Sequence, residues 1–353
     1  LPKMWSSKQA ISVVDFDKDG DLDVFVGGMS KPGSFPLCSK SYLLRNESKG
    51  GEVKFSDVTS QLSPDLEYPG MVVTACWQDL NKDGYPELLI GGDWMPLKKF
   101  KNEKGVLKYD KDSGLENSDG MWSKIVPMDV NNDGAIDFVV GNCGLNNQFK
   151  ASSAQPITIY ASDFNNDGAI DPILTYYIKG KNYPMASRDE LLDQMVQLKK
   201  RFLSYSSYSD VTIDKLFTPE QLEQSQKFYC RQLETSILLN DGTGKFTIKT
   251  LPIEAQFSRT WGIVVDDFNS DGKDDILLAG NFYPYRVQLG QADAALGLLL
   301  IGNGKGDFKP LPPYDSGLYI DGDVRNMIEI KGETKKIIIV KNNDKVQLLK
   351  AAN

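Results

Sequence analysis

The sequence predicts an all-β chain, a β-propeller of about six to seven four-stranded blades carrying calcium loops and a small helical insertion. Three observations predict it. A nine-residue acidic turn recurs five times, short apolar runs flank each copy, and glycine-rich hairpin signals lie between the copies. Apolar runs bounded by glycine read as buried strands, and Asn/Gly turns between such runs read as hairpins.

The acidic turn reads Asp-x-Asp/Asn-x-Asp-Gly-x-x-Asp/Glu, with copies starting at Asp15, Asp79, Asp129, Asp163 and Asp267. These windows hold 18 of the 48 acidic residues, a density that repels itself unless a cation sits among the carboxylates. Calcium takes about six to eight oxygen ligands at roughly 2.3–2.6 Å, and a tight loop can converge that many. Positions 1, 3 and 5 offer side chains: Asp15, Asp17 and Asp19; Asp79, Asn81 and Asp83; Asp129, Asn131 and Asp133; Asp163, Asn165 and Asp167; Asp267, Asn269 and Asp271. Position 6 is glycine throughout, which permits a sharp turn. Position 7 offers the backbone carbonyl of Asp21, Tyr85, Ala135, Ala169 or Lys273, and position 9 closes the site with Asp23, Glu87, Asp137, Asp171 or Asp275. An EF-hand needs Glu at position 12 and flanking helices. Here position 12 of the first copy is Val26 and the flanks are strand-like. Magnesium prefers a stricter octahedron with several waters, so calcium, up to five ions, is the expected cofactor. By charge count the first loop should bind most tightly.

The spacings between loop starts are 64, 50, 34 and 104 residues, and most bracket the ~40–50 residues of a propeller blade. Between loops come Tyr42–Asn46 leading to Phe55, Ile237–Asn240 with the turn Asp241-Gly242-Thr243-Gly244-Lys245 before Phe246, and Leu298–Ile301 before Phe308. Loop strand plus hairpin gives four antiparallel strands. The 34-residue spacing is short for a blade, and residues 184–234 change period. Ser187 with Glu190 makes a capping box, Leu191, Leu192, Met195, Leu198 and Phe202 form a helical stripe, and Thr218-Pro219-Glu220-Gln221 starts a second helix. A helical insertion over 184–234 within a propeller spanning 1–353 is expected, either as a clamp on the propeller or as a docking device.

Composition narrows the function. The net charge of −8 disfavours nucleic acid as a partner. Histidine is absent, which removes the commonest general base and Ser-His or Cys-His nucleophile pairs. Cys38, Cys76, Cys143 and Cys230 are far apart with no CxxC, so buried thiols are expected rather than a zinc site. No apolar run reaches the ~18 residues of a transmembrane helix. The start shows no basic segment followed by an apolar one, so the chain reads as a mature or truncated product.

The repeats resemble FG-GAP/VCBS repeats, the calcium-loop blades of integrin-α-like β-propellers. The stretches Gly91-Gly92-Asp93-Trp94-Met95-Pro96, Gly141-Asn142-Cys143-Gly144-Leu145-Asn146, Ser187-Arg188-Asp189-Glu190-Leu191-Leu192 and Leu251-Pro252-Ile253-Glu254-Ala255-Gln256-Phe257 resemble the C-terminal region of large bacterial VCBS-repeat outer-membrane lipoproteins related to the ASPIC/UnbV group. That resemblance implies a surface or periplasmic protein of a Gram-negative bacterium, often an outer-membrane lipoprotein, with no established enzymatic activity.

The strand after each calcium loop ends in Gly-Gly or Gly-Asn and should emerge on the face away from the ions. Asp93, Trp94, Asn142, Asn146, Tyr176, Tyr177, Asn281, Tyr283 and Tyr285 follow it and are candidate contacts for a ligand or partner. Trp77, Trp122 and Trp261 are expected in the core, and Arg188 and Arg259 are candidate partners for an anion or carboxylate, with solvated surface the simpler reading. Two functions compete. One is a non-catalytic, calcium-stabilised scaffold that docks a protein partner such as an outer-membrane complex. The other is a carbohydrate-binding propeller, lectin-like or lyase-related, whose aromatics stack on sugar rings and whose asparagines bond hydroxyls.

Overall fold

A computed structural model describes residues 2–284, 290–330, 332 and 335–350. The chain is mostly β, and its described strands form six antiparallel sheets. The first sheet is β1 (Lys8–Val14), β2 (Asp23–Gly28), β3 (Tyr42–Asn46) and β4 (Phe55–Asp57), paired in that order. The second is β5 (Met71–Gln78), β6 (Glu87–Met95), β7 (Lys98–Glu103) and β8 (Val106–Tyr109), with the short β9 (Gly120–Met121) on the far end of β6. The third opens with β10 (Lys124–Met128) and β11 (Asp137–Gly141), after which the chain leaves it.

The excursion builds its own sheet from β12 (Ile157–Ser162), β13 (Asp171–Ile178), β14 (Lys181–Pro184) and β15 (Gln226–Cys230), in the order β14-β13-β12-β15. The chain then returns to the third sheet with β16 (Ser236–Asn240) and β17 (Phe246–Thr250), β16 pairing directly with β11. The fourth sheet is β18 (Thr260–Asp266), β19 (Asp275–Gly280), β20 (Leu298–Gly302) and β21 (Phe308–Leu311). The fifth is β22 (Val324–Ile330), β23 (Lys336–Lys341) and β24 (Gln347–Lys350).

The insertion is therefore larger than the 184–234 segment marked by the helical pattern. It runs from 142 to 235, and its two ends lie side by side, with the Asn142 N–H donating to Thr235 Oγ1 at 3.2 Å and the Gly144 N–H to the Leu233 carbonyl at 2.7 Å. This accounts for the short 34-residue spacing. The fourth acidic turn joins β12 to β13 inside the insertion, while its neighbours belong to the row of sheets on either side. The helical part is as the sequence predicts. Helix Arg188–Gln194 is capped by the reciprocal Ser187/Glu190 bonds and helix Pro219–Gln224 by Thr218/Gln221. Leu191, Leu192, Met195, Leu198 and Phe202 bury against Phe164 and Ile173 of the inserted sheet, where Phe164 stacks on Phe217 at 4.0 Å between centroids.

The first strands of the five other sheets, β1, β5, β10, β18 and β22, pack against one another in chain order. Second strands are covered on both faces, so they read as unbroken apolar runs, as in the Leu88-Leu89-Ile90 stretch of β6. A separate apolar cluster fills each junction. Phe25, Leu43, Val72, Leu88 and Phe100 lie between the first and second sheets, and Trp122, Phe138 and Leu238 between the second and third. Ile237, Ile263 and Ile276 follow, then Val264, Met327 and Ile339. Trp122 is fully buried and Trp261 nearly so, while Trp77 packs on the first cluster from its edge.

The glycines that end the second strands have a structural cause. A register shift interrupts the first strand opposite them in the first, second and fourth sheets. At that bulge the backbones nearly touch. A Cβ on Gly92 would lie 1.9 Å from the Met71 carbonyl, and one on Gly280 would lie 1.7 Å from that of Arg259.

Candidate metal centre

All five acidic turns join a first strand to a second strand and close with the same bonds. Position 4 turns left-handed, with φ of 65° at Lys18, 61° at Lys82, 56° at Asn132, 60° at Asn166 and 61° at Ser270. The position-6 glycine follows at φ between 81° and 98° with open space where a Cβ would stand, so glycine is required there for its backbone and not for room. Its N–H donates to the position-1 carboxylate at 2.8–3.1 Å. The position-5 N–H donates to the position-3 oxygen at 2.9–3.4 Å, and the position-7 N–H to position 5 at 2.7–3.0 Å. These bonds fix the side chains of positions 1, 3 and 5 against the turn.

The donor set fits a hard cation. In the first loop Asp15, Asp17 and Asp19 bring one carboxylate oxygen each within 4.8 Å of one another. Burial, then repulsion from Asp19 and Asp15, pushes the Asp17 carboxyl above its ordinary range. In the second loop Oδ1 of Asp79 is buried with no hydrogen-bond partner among the described residues, an orphaned acceptor that a cation would satisfy. Where position 3 is an amide, its Nδ2 donates across the loop to position 5, at 3.1 Å from Asn81, 2.7 Å from Asn131 and 2.8 Å from Asn165. In the fifth loop the Lys273 ammonium lies 3.2 Å from Asp271, so a cation there competes with an internal one.

Position 9 has a second task that the sequence did not reveal. It is the first residue of the second strand and is buried in every copy. One of its oxygens accepts the N–H of position 2, at 2.8–3.2 Å. In the first, third and fourth sheets the other oxygen accepts a backbone N–H from the end of the third strand: Asn46 to Asp23 at 2.8 Å, Asn240 to Asp137 at 2.7 Å, and Gly302 to Asp275 at 2.8 Å. Position 9 thus staples the loop to its sheet. Burial pushes Asp23 up to about 6, against the two backbone N–H groups that lower it. The recurrent asparagine at the end of the third strand is the sequence signal of this staple. Asn46, Asn102 and Asn240 each donate Nδ2 to the position-8 carbonyl, at 3.2, 3.0 and 3.1 Å. In the inserted sheet Gln194 of the helical segment takes over, donating to Asp171 at 2.5 Å.

The loops also reach the next sheet along the row. The Gly306 N–H, in the β20–β21 turn, donates to the Val130 carbonyl at 2.9 Å. Gly105, in the β7–β8 turn, stands against Asp17, and Lys335 Nζ donates to the Asp267 carbonyl at 2.9 Å.

The predicted contact residues do not form one open face. Asn142 and Asn281 are buried and hold backbone. Asn142 Oδ1 accepts from the Met121 and Cys143 N–H groups and its Nδ2 donates to the Gln232 carbonyl. Asn281 bonds Ala295 through both ends of its amide and also the Gly322 carbonyl. Both stand where chain crossings leave backbone groups to be satisfied, which corrects their expected role. Asp93 pairs with Arg259 at 2.7 Å, so Arg259 is the carboxylate partner and not solvated surface; it is buried with its guanidinium 4.3 Å over Trp261. Trp94 and Tyr176 pack on the apolar cluster around Cys143 and Cys230 at the base of the insertion, Tyr176 edge-on to Phe149. Tyr177 and Tyr283 are half-buried, and Asn146 is exposed with its amide on the Phe257 carbonyl. Tyr285 lies outside the described residues.

Residues 15–90, which span the first two acidic loops, match the FG-GAP-like repeat family. No curated protein sequence matches the chain. Among solved structures, the chain is similar to the V. cholerae biofilm matrix protein Bap1, at 11% identity and a TM-score of 0.35 over 99% of this chain and 70% of that one. It is also similar to RAG in complex with one melted and one unmelted RSS, at 13% identity and a TM-score of 0.39 over 98% of this chain and 85% of that one. At these scores neither similarity bears on function. No helix among the described residues is long and apolar enough to cross a membrane.

Proposed function

We propose that this chain is a non-catalytic binding scaffold, a calcium-stabilised propeller-like row of blades. The observation that carries the reading is the five-fold recurrence of the same backbone bonds onto the side chains of positions 1, 3 and 5, with the Asp15, Asp17 and Asp19 carboxylates within 4.8 Å of one another in the first copy. Asp79, Asn81, Asp83, the Tyr85 carbonyl and Glu87 would hold one ion in the second loop, and the matching residues would hold the others. The calcium is structural: it neutralises the clustered carboxylates and fixes loops that touch two sheets at once. Binding to the folded state stabilises it by mass action, about 2.7 kcal/mol per site at a hundredfold excess over Kd.

Full-length protein should lose many degrees of melting temperature in excess chelator, with metal removal verified by elemental analysis. An unchanged melt after verified removal overturns the reading. Asp15→Ala with Asp19→Ala should hurt most among the loops, and the fifth loop, with Lys273 on Asp271, should bind most weakly. Placement at the surface or periplasm of a Gram-negative bacterium, docked on an outer-membrane complex, rests on the resemblance of the four quoted stretches. A pull-down from native membranes tests it, and recovery of the protein without any stoichiometric membrane partner would count against it.

A further inference from the structure

The junction at the second loop differs from its neighbours. The first loop meets the β7–β8 turn at Gly105, and the third is bonded to the β20–β21 turn through Gly306. The second loop should meet the β16–β17 turn in the same way. Instead a cleft of about 770 Å³ separates them, with Asn81 and Asp83 on one side, Thr243 on another, and Lys101 and Lys104 at the rim. Lys99 crosses the back of the cleft, donating to the Gly244 carbonyl and pairing with Asp110 at 2.8 Å.

The chemistry of the walls selects a ligand. Leu80 is the single large apolar side chain among the lining residues, so the cleft suits a hydroxylated molecule and not an apolar one. Lys99 is spent on Asp110 and Glu103 on Lys108, while Lys101 meets Asp110 only from the solvent side, at 3.1 Å. Lys104 makes no ion pair among the described residues, and it is held at a φ of 54° in a two-residue turn, a conformation unusual for a side-chain-bearing residue. The second loop offers five donor groups where calcium takes about six to eight oxygens, and three of those donors, Asn81, Asp83 and Glu87, line the cleft.

We propose that this cleft binds a sugar-sized oxyanion, a hydroxylated carboxylate or phosphate that completes the coordination of the ion in the second loop and pairs with Lys101 and Lys104. The inference rests on the calcium reading above. Its test uses calcium-loaded full-length protein titrated by calorimetry with glucuronate, glucose 6-phosphate and glucose. One of the two acids should bind one to one, which tells carboxylate from phosphate, and glucose should bind at least tenfold more weakly. Lys101→Met with Lys104→Met should weaken the acid at least tenfold while calcium content by elemental analysis stays unchanged. Asp79→Asn should remove one calcium and the acid together. Full calcium content with no binding of either acid overturns this inference alone, as does equal binding of glucose or an unaffected lysine variant. Undiminished calcium in Asp79→Asn overturns it together with the metal reading.

Discussion

Asp137 shows how much one carboxylate can do in this fold. It is completely buried, and its two oxygens accept the backbone N–H groups of Val130 and Asn240. Asp137→Ala should cost about 2–4 kcal/mol, since two buried N–H groups lose their acceptor. Asp137→Asn, which keeps one acceptor oxygen, should cost less. Urea unfolding in excess calcium measures both, and equal stability of the alanine variant would rule out the staple. The Lys99–Asp110 pair is a second test. Both side chains are buried, and removing one partner of such a pair costs about 3–5 kcal/mol, so Lys99→Met should lower the urea midpoint sharply. Burial would raise Asp110, but hydrogen bonds from Lys99 and Lys101 win and hold it below its ordinary value. A carboxylate depressed in the folded state adds stability above its unfolded pKa of about 3.9 and loses it as the pH falls through the folded value. The wild type should therefore lose stability below about pH 4, and Lys99→Met should show a shallower loss there. Parallel acid titrations followed by circular dichroism compare them.

At the scale of elements, local signals were legible and nested ones were not. The capping boxes at Ser187 and Thr218 need only residues three apart, so the sequence reads them directly. The extent of the insertion depends on β11 pairing with β16, almost a hundred residues later. Its sheet carries the same acidic turn as four of the other five, so by pattern it passes for one more blade. Asn142 and Asn281 were misread for a related reason: an amide following a strand looks the same whether it faces solvent or a chain crossing. The boundaries make a prediction. Replacing 142–235 by a short turn should leave the third sheet able to form, because its ends are already adjacent. Deleting 184–234 should be far worse, since it removes β15 and uncovers β12. Soluble yield and thermal melts of the two deletions compare them, and the reverse order would refute the nested arrangement.

At the scale of the whole molecule, the repeats announced the sheets and the loops, because spacing and composition recur along the chain. They did not announce which surfaces meet. The cleft at the second loop depends on where the β16–β17 turn comes to rest, and no local pattern encodes that distance. Side chains also bridge the seams between sheets. Lys82 reaches from the second loop to the Gly134 carbonyl of the third at 3.1 Å, and Lys249 from β17 to the Gly306 carbonyl at 2.8 Å. Chelation should therefore raise amide exchange in the strands on both sides of each loop, which hydrogen-exchange mass spectrometry can map. Protection lost only inside the turns would show that they do not brace their neighbours.

The overlaps at Gly105, Gly306 and Lys335 all run one way, the first, third and fourth sheets each laying an acidic bend on a turn of the following sheet, as shingles lap down a roof. Such a stack has a grain. Peeling from the amino-terminal side lifts a covering bend away from the hairpin beneath it, while peeling from the carboxy-terminal side slides the support out from under a bend. Mechanical or proteolytic stripping begun at opposite ends should therefore meet unequal resistance, although the chain is built from near-identical units.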